Sequence, residues 1–329
     1  MVAPLDAARL NRKPPPVAQS GSGRIRSMNG TSAMTITVAR IDDPRAFLER
    51  AGSYLETHEA ANSLVFGICD ALIHAPETYP EHYLAIVHDD SQLTLAALMT
   101  PPYNLILSYI PDAEALGERL DQALDLLARD VHTSYPELPG VMGQTGVAER
   151  FARRWQALSG QPYDVRFRER AFRLSAVRPI SPPPGALVRA TPADRDLLVR
   201  WTLDFAIEAL GDGDLVEAER TVDARLGQDD PQTRGLCLWV DGAPVALAGY
   251  TGPTPHGIRV GPVYTPPERR GKGYASALVA QMSQLLLDGG RSFCFLFTDL
   301  ANPTANYIYE EIGYEPVVDM DVYRCLNRG

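Results

Sequence analysis

The fold is decided by one eight-residue stretch, Arg269-Arg270-Gly271-Lys272-Gly273-Tyr274-Ala275-Ser276. An apolar run from Ile258 to Tyr264 precedes this stretch, and a run with helical spacing from Ala275 to Leu287 follows it. A strand, a basic turn with two glycines and the start of a helix are typical of a phosphate site. Glycine lets the backbone approach a ligand closely, and the first helical turn offers N–H groups without partners. The stretch therefore predicts a phosphate-binding turn between a strand and a helix.

The alternation of strands and helices continues on both sides of this turn. We predict strands at Ala186–Ala190, Gly235–Val240, Pro244–Tyr250, Ile258–Tyr264, Ser292–Thr298 and Pro316–Cys325. We predict helices at Pro192–Leu210, Val216–Leu226, Ala275–Leu287 and Pro303–Ile312. Asp241-Gly242 is typical of a hairpin turn, and the wholly apolar run from Phe293 to Phe297 indicates a buried central strand. The predicted fold class is α/β (α+β), with a mixed central sheet flanked by helices.

A proline-rich segment, Arg178-Pro179-Ile180-Ser181-Pro182-Pro183-Pro184-Gly185, divides the chain. Its four prolines disfavour both helix and sheet, so we interpret it as a linker. The first half repeats the order of the second. It has predicted strands at Thr35–Arg40, Tyr83–Asp89, Gln92–Met99, Asn104–Tyr109, Gly140–Gly143 and Tyr163–Leu174, and helices at Pro44–His58, Asn62–Ile73, Asp112–His132 and Val147–Ser159. We expect a disordered tail over residues 1–33, a domain over 34–177, the linker over 178–185 and a second domain over 186–329.

Two motifs in the second half stand in register with a known family. The first is Arg270-Gly271-Lys272-Gly273-Tyr274-Ala275, which fits the pattern Gln/Arg-x-x-Gly-x-Gly/Ala after a strand and before a helix. The second begins at Asn302 and fits Asn-x-x-Ala-x-x-x-Tyr-x-x-x-Gly-Phe/Tyr through Ala305, Tyr309, Gly313 and Tyr314. With both motifs, residues 186–326 resemble the GCN5-related N-acetyltransferase (GNAT) superfamily.

This resemblance implies that acetyl-CoA is the co-substrate and assigns a role to each motif. Backbone amides from Gly271 to Ala275 would bind the coenzyme A diphosphate, and the strand end at Val263 and Tyr264 would pair with the pantetheine arm and polarise the thioester carbonyl. Tyr309 would be the general acid for the departing thiolate. The implied coenzyme-binding residues are Val263, Tyr264, Thr265, Arg270, Gly271, Lys272, Gly273, Tyr274, Ala275, Ser276 and Asn302.

The first half resembles a degenerate copy of the same domain. The acidic segment Tyr109-Ile110-Pro111-Asp112-Ala113-Glu114 stands where the glycine turn would be, and its charge would repel phosphate. Gln156 lies four residues before Gly160, as Tyr309 lies four before Gly313, and an amide cannot replace a phenol as an acid. We therefore expect one working domain and one degenerate domain.

Several of these residues also have plain structural interpretations. Asn302 before Pro303 is a typical N-cap, and Gly313 is a typical C-terminal helix glycine. Tyr309 shares a helix stripe with Ala305 and Ile312 and so fits a hydrophobic core as well as catalysis. Arg269 and Lys272 fit a solvated surface as well as phosphate steering.

The base that accepts the amine proton has only weak candidates. Glu208, near the end of the first long helix of the second half, is the residue we name. Asp212 and Asp214 follow it in a glycine-rich turn, and a chain of waters is the alternative to all three. A cysteine nucleophile is not expected, because Cys237 and Cys294 lie in apolar runs without cationic neighbours.

Composition limits the partners. A net charge of −10 argues against nucleic acid and anionic membranes as general partners, because a polyanion would be repelled. No apolar run approaches the ~18 residues that span a bilayer. Four separated cysteines fit free thiols in a reducing compartment better than a disulfide framework or a metal site, so we expect a cytoplasmic protein without a metal. We expect a monomer or a homodimer.

The sequence thus favours an acetyl-CoA-dependent N-acetyltransferase. The expected acceptor is a primary amine of a small molecule or peptide, which attacks the thioester directly. The alternative is a non-catalytic sensor or scaffold that binds coenzyme A. The turn and Tyr309 occur together in one domain, and a pure binding protein would not need both.

Overall fold

The computed structural model describes residues 35–90, 92–211, 213–226 and 232–327, and the predicted tail lies outside this part. The described residues form two compact units. The N-terminal unit contains residues 35–65, 71–169 and 319–327, and the C-terminal unit contains residues 66–70 and 170–318. This division differs from the expected domains in three short segments, residues 66–70, 170–177 and 319–327, because each half of the sequence contributes residues to the other unit.

The first half of the chain forms six strands and four helices. In chain order they are β1 (Ile36–Arg40), α1 (Pro44–Glu56), α2 (Ser63–His74), β2 (Tyr83–Asp89), β3 (Gln92–Met99), β4 (Leu105–Leu107), α3 (Gly117–Ser134), β5 (Gly140–Gln144), α4 (Val147–Ser159) and β6 (Tyr163–Leu174). All of the predicted elements exist, and most bounds agree within two residues.

Helix α3 begins five residues later than predicted. The predicted helix started at Asp112, but Asp112 has a φ of 49°, which cannot continue a right-handed helix. Residues 111–116 form tight turns instead, closed by hydrogen bonds from Ala115 N–H to the Asp112 carbonyl (2.8 Å) and from Gly117 N–H to the Glu114 carbonyl (3.2 Å). The prediction of a helix from Asp112 was therefore wrong at its start.

The second half again forms six strands and four helices. In chain order they are β7 (Ala186–Arg189), α5 (Arg195–Leu210), α6 (Leu215–Leu226), β8 (Gly235–Asp241), β9 (Ala243–Pro253), β10 (Gly257–Tyr264), α7 (Tyr274–Asp288), β11 (Phe293–Asp299), α8 (Pro303–Ile312) and β12 (Glu315–Cys325). The predicted helix at Pro192–Leu210 starts with a 3₁₀ turn over Pro192–Asp194, capped by Thr191, before α5.

Each unit is a mixed sheet flanked by helices, which confirms the predicted fold class. In the N-terminal unit the strand order is β1-β2-β3-β4-β5-β12, with β12 belonging to this unit from residue 319. In the C-terminal unit it is β6-β11-β10-β9-β8-β7, with β6 belonging to this unit from residue 170. β4 pairs with β5 in parallel, and β10 pairs with β11 in parallel, while the other recorded pairs are antiparallel. β11, predicted to be central from its apolar run, lies inside its sheet as expected.

The last strand completes the sheet of the N-terminal unit. β12 pairs with β5 in antiparallel register from Met320 opposite Gln144 to Arg324 opposite Gly140. Met320, Val322 and Tyr323 are buried, and the Thr145 hydroxyl donates to the Asp321 carboxylate at 3.1 Å. The N-terminal unit thus takes one strand of its sheet, residues 320–324, from the second half of the sequence.

Candidate active site

The strands beside the predicted phosphate turn separate part way along their length. β10 pairs with β11 only at Gly257, Ile258 and Arg259. On its other side β10 remains paired with β9 as far as Tyr264, with one extra residue between Val260 and Val263. Past Arg259, no strand of the described residues pairs with the edge of β10 that faces β11. Main-chain groups at Val263 and Tyr264, followed by Thr265, can therefore receive an extended ligand as another strand would.

The basic turn leads into a helix whose first N–H groups have no recorded partner among the described residues. Gly271 and Gly273 have φ values of 73° and 78°, the left-handed region that glycine adopts without strain. Helix α7 starts at Tyr274 without a side-chain cap, and its first recorded backbone bond runs from Ala277 N–H to the Gly273 carbonyl (3.0 Å). The N–H groups of residues 274–276 therefore point out of the helix end, where the helix dipole favours an anion.

Surface exposure fits this use of the turn. Gly271, Lys272 and Gly273 are exposed, and a side chain added at Gly271 would meet open space. Arg269 and Lys272 make no ion pair with any described residue, so both cations are free to attract phosphate. The structure thus brings the predicted turn, its basic residues and the helix start together at one accessible place.

Tyr274 fixes the start of helix α7. Its main chain belongs to the turn, but its side chain is buried and its hydroxyl donates to the Asp241 carboxylate at 2.7 Å. This hydrogen bond holds the pKa of Tyr274 above its ordinary value. Asp241 ends strand β8 at the hairpin to β9, so the helix start is tied to the sheet. The sequence analysis did not find this partner, because it used Asp241 only as a turn residue.

Arg270 points away from the helix start. Its Nε donates to the Thr265 carbonyl at 2.8 Å, and its Nη2 donates to Glu208 Oε2 at 2.6 Å. The pairing with Glu208 holds the pKa of Arg270 above its ordinary value. The predicted base and a predicted coenzyme-binding residue therefore form an ion pair, which the sequence analysis did not foresee.

Helix α5 supplies a polar and aromatic wall beside the end of β10. Trp201, Asp204 and Glu208 are three and four residues apart and so share one face of the helix. The Trp201 ring lies 6.2 Å from the ring of Tyr264. Burial and then the nearby Asp204 carboxylate raise the pKa of Tyr264, while Arg270 opposes them. The sequence analysis missed Trp201 and Asp204, although their helical spacing with Glu208 was visible.

Tyr309 is half-buried on helix α8. Its ring contacts the ring of Tyr314 edge-on, with centroids 5.8 Å apart, and packs against the core of the C-terminal unit. No described residue hydrogen-bonds its hydroxyl, whereas the Tyr314 hydroxyl bonds the Ser283 hydroxyl at 2.9 Å. Burial raises the pKa of Tyr309 to about 12. The phenol is therefore protonated at neutral pH and has a free donor.

Asn302 has the capping role that the sequence predicted. Its Oδ1 accepts a hydrogen bond from Ala305 N–H at 3.0 Å, and Pro303 begins helix α8. Gly313 ends the same helix with a φ of 110°. The side-chain amide nitrogen of Asn302, an exposed residue, stays available to a ligand.

The other nucleophile and base candidates have structural roles or fall outside the structure. Asp214 Oδ1 caps helix α6 by accepting from Val216 N–H at 2.7 Å. Asp212 lies outside the described residues. Cys237 and Cys294 are buried free thiols, and burial raises their pKa values to about 11 and about 12.

Metal and membrane features are easily summarised for the part of the chain that the structure describes. Within it, no group of three His, Cys, Asp or Glu side chains could hold a metal ion. None of its helices has the length and apolar character needed to cross a bilayer.

A family model matches the part of the chain that contains this site. Residues 198–314 match the family model described as the acetyltransferase (GNAT) family. This range contains both sequence motifs, the open edge of β10 and Tyr309. No curated protein sequence matches the chain.

Solved structures resemble nearly the whole chain. A Drosophila protein has a TM-score of 0.60 at 12% identity, over 88% of this chain and 98% of that one. A GCN5-related N-acetyltransferase from Sphaerobacter thermophilus has a TM-score of 0.53 at 14% identity, over 89% and 96%. A tandem GNAT protein from the clavulanic acid biosynthesis pathway has a TM-score of 0.50 at 14% identity, over 89% and 99%. At such identities the likeness is one of fold alone.

Proposed function

We propose, from the GNAT acetyltransferase domain that this chain carries, that the protein moves an acetyl group from acetyl-CoA to a primary amine. The observation that supports this most is found in the C-terminal unit. There an exposed glycine turn and an uncapped helix start follow a strand whose outer edge is unpaired past Arg259. These are the two surfaces that a diphosphate and an extended amide-containing arm require.

The residues would hold the coenzyme as follows. Main-chain N–H groups of residues 271–276 bind the diphosphate, with Lys272 and Arg269 adding positive charge. Val263, Tyr264 and Thr265 offer main-chain groups to the pantetheine arm, and the Asn302 amide nitrogen makes a further contact. In the free protein Arg270 braces the turn on the Thr265 carbonyl and pairs with Glu208, and a bound diphosphate would compete for its cation.

The proposed reaction is a direct transfer. The amine nitrogen forms a bond to the thioester carbonyl carbon, and the carbon–sulfur bond breaks. The amine loses one proton and the departing thiolate gains one, so the protons balance. An N–H of β10 stabilises the oxyanion, and Tyr309 donates a hydrogen bond and then a proton to the departing sulfur. A phenol with a pKa of about 12 holds its proton more tightly than a thiol does. After Tyr309 has given its proton to the sulfur, it therefore recovers a proton readily, and the amine releases one.

The acceptor amine would enter along helix α5. Asp204 and Glu208 give this wall negative charge, which suits a protonated amine, and Trp201 adds an aromatic surface. Glu208 is the proposed base that takes the proton from the amine. It can act only when Arg270 gives up its hydrogen bond, so we propose that coenzyme binding at the turn weakens this ion pair.

A thiol-release assay tests the proposal. The purified chain is given acetyl-CoA and a panel of amino acids, polyamines, aminoglycosides and peptides, and free coenzyme A is followed with time. We expect release that depends on both enzyme and amine, with an acetylated amine detected by mass spectrometry. Binding of coenzyme A without turnover on any amine would favour the sensor or scaffold alternative, and the absence of binding would exclude both functions.

A further inference from the structure

The N-terminal unit contains its own pair of separating parallel strands. β4 and β5 pair only at Leu105 with Val141 and at Ile106 with Met142. Past these pairs the chain runs on through Tyr109 and Ile110 towards helix α3. This is the same arrangement as β10 and β11, which pair as far as Arg259 with Phe295 and then part.

The register identifies matching residues in the two units. The parallel pairing ends at Ile106 in β4 and at Arg259 in β10, so we take these two residues as equivalent. Allowing for the one extra residue in β10 between Val260 and Val263, Tyr109 matches Val263 and Ile110 matches Tyr264. By this count, which starts from the last parallel pair, Tyr109 and Ile110 stand where Val263 and Tyr264 stand in the C-terminal unit.

Both counterpart N–H groups are already bonded within the chain. Tyr109 N–H donates to Asn62 Oδ1 at 2.8 Å, and Ile110 N–H donates to Gln144 Oε1 at 3.3 Å. The Asn62 side chain is 1% exposed and is itself fixed by its Nδ2, which donates to the Leu55 carbonyl at 3.0 Å. Side-chain amides, the same chemical group as the amides of pantetheine, thus accept from both N–H groups.

The C-terminal unit has no such groups at the matching places. Asn62 precedes helix α2 but does not cap it with its side chain. Asp214, which precedes helix α6 at the matching place, caps that helix with its carboxylate. Gln144 lies two residues past the last parallel pair, where the C-terminal unit has Phe297, which has no side-chain hydrogen-bonding group.

We infer that Asn62 and Gln144 occupy the coenzyme cleft of the N-terminal unit as internal substitutes for the pantetheine arm, so that the chain binds one coenzyme A and not two. Charge acts in the same direction. The turn before α3 exposes Asp112 and Glu114, and the first turn of α3 carries Glu118, so a diphosphate would be repelled there. The inference concerns the N-terminal unit alone and does not require the C-terminal unit to be catalytic.

Hydrogen exchange of the full-length protein, read by mass spectrometry with and without coenzyme A, tests the inference. Peptides covering residues 105–112 should be protected in the free protein and unchanged by coenzyme A. In Asn62→Ala the same peptides should exchange roughly tenfold faster or more, because Tyr109 N–H loses its acceptor. Slow exchange that appears only with coenzyme A in these peptides would overturn the inference. Peptides covering residues 260–276 report separately on the proposed function, which requires them to gain protection.

Calorimetric titration with coenzyme A gives the second readout. We expect one site per chain, lost in Gly271→Asp, since aspartate tolerates a left-handed backbone and adds a negative charge where the diphosphate would lie. Two sites in the wild-type protein, or one undiminished site in Gly271→Asp, would overturn the inference. No site in the wild-type protein would contradict the proposed function but agree with a closed N-terminal cleft.

Discussion

Arg270 and Glu208, 62 residues apart in sequence, form an ion pair with 2.6 Å between Nη2 and Oε2. The pair joins the coenzyme turn to the last part of helix α5, the proposed acceptor wall. Both side chains are more than two-fifths exposed, so we expect the pair to stabilise the fold by only about 0–1 kcal/mol. In the proposed function the pair couples two sites, because a diphosphate bound at the turn would compete with Glu208 for the Arg270 cation.

The Glu208→Gln variant tests this coupling. Glutamine keeps the shape of the side chain but carries no charge and accepts no proton. We expect kcat to fall by about 10²-fold if Glu208 is the base. We expect coenzyme A to bind as tightly as before or more tightly, because the diphosphate would no longer compete with a carboxylate for Arg270. Steady-state kinetics and calorimetry measure the two effects. An unchanged kcat would remove Glu208 from the mechanism.

The Tyr309→Phe variant tests the proposed acid. Removing the hydroxyl should lower kcat by about 10²-fold and leave the dissociation constant of coenzyme A unchanged, since the ring still packs on Tyr314. Tyr307→Phe is the matched control, because Tyr307 lies on another face of the same helix and is 63% exposed. Equal kcat values in the two variants would show that the Tyr309 hydroxyl has no chemical role.

Local signals explain how much of this site could be predicted. The glycine turn, the cap at Asn302 and the hairpin at Asp241 depend on residues next to one another in sequence, so short patterns predict them. The predicted start of α3 was wrong because Asp112 takes a left-handed φ that the neighbouring residues in the sequence do not indicate. The ion pair of Arg270 with Glu208 and the bond of Asn62 to Tyr109 join distant segments, and one sequence shows no trace of either.

The sequence also could not predict which strand pairs with β12, because that pairing joins segments far apart in the chain. The sequence predicts that Pro316–Cys325 is a strand but not which strand pairs with it, because strands pair through their backbones. The structure pairs its second part with β5 of the N-terminal unit. The degenerate nature of that unit stays a prediction, now with Asn62 and Gln144 as its physical basis.

The pH dependence gives an independent check on Tyr309. Burial raises its pKa from 10.0 to about 12, so the folded state holds the phenolic proton more tightly than the unfolded state. The resulting contribution to stability is complete below pH 10 and is lost as pH rises toward 12. Tyr309 therefore stays protonated from pH 7 to 10, and any basic limb of kcat/KM in that range belongs to another group. A basic limb near pH 9 that disappears in Tyr309→Phe would contradict this assignment.

The Met320→Ala variant tests whether the end of the chain stabilises the N-terminal unit. Met320 is 3% exposed and lies opposite Gln144 in the β12–β5 pair. Its truncation should lower the free energy of unfolding of that unit by about 2–5 kcal/mol, because a buried side chain is lost and a cavity remains. Val317→Ala, on the same strand but 43% exposed, should change stability by less than about 0.5 kcal/mol. Denaturant unfolding followed by hydrogen exchange of β5 peptides measures both variants. Equal stability of the two would mean that residues 319–325 are not an integral strand of the N-terminal unit, whereas a selective loss of β5 protection in Met320→Ala is the result that the strand pairing requires.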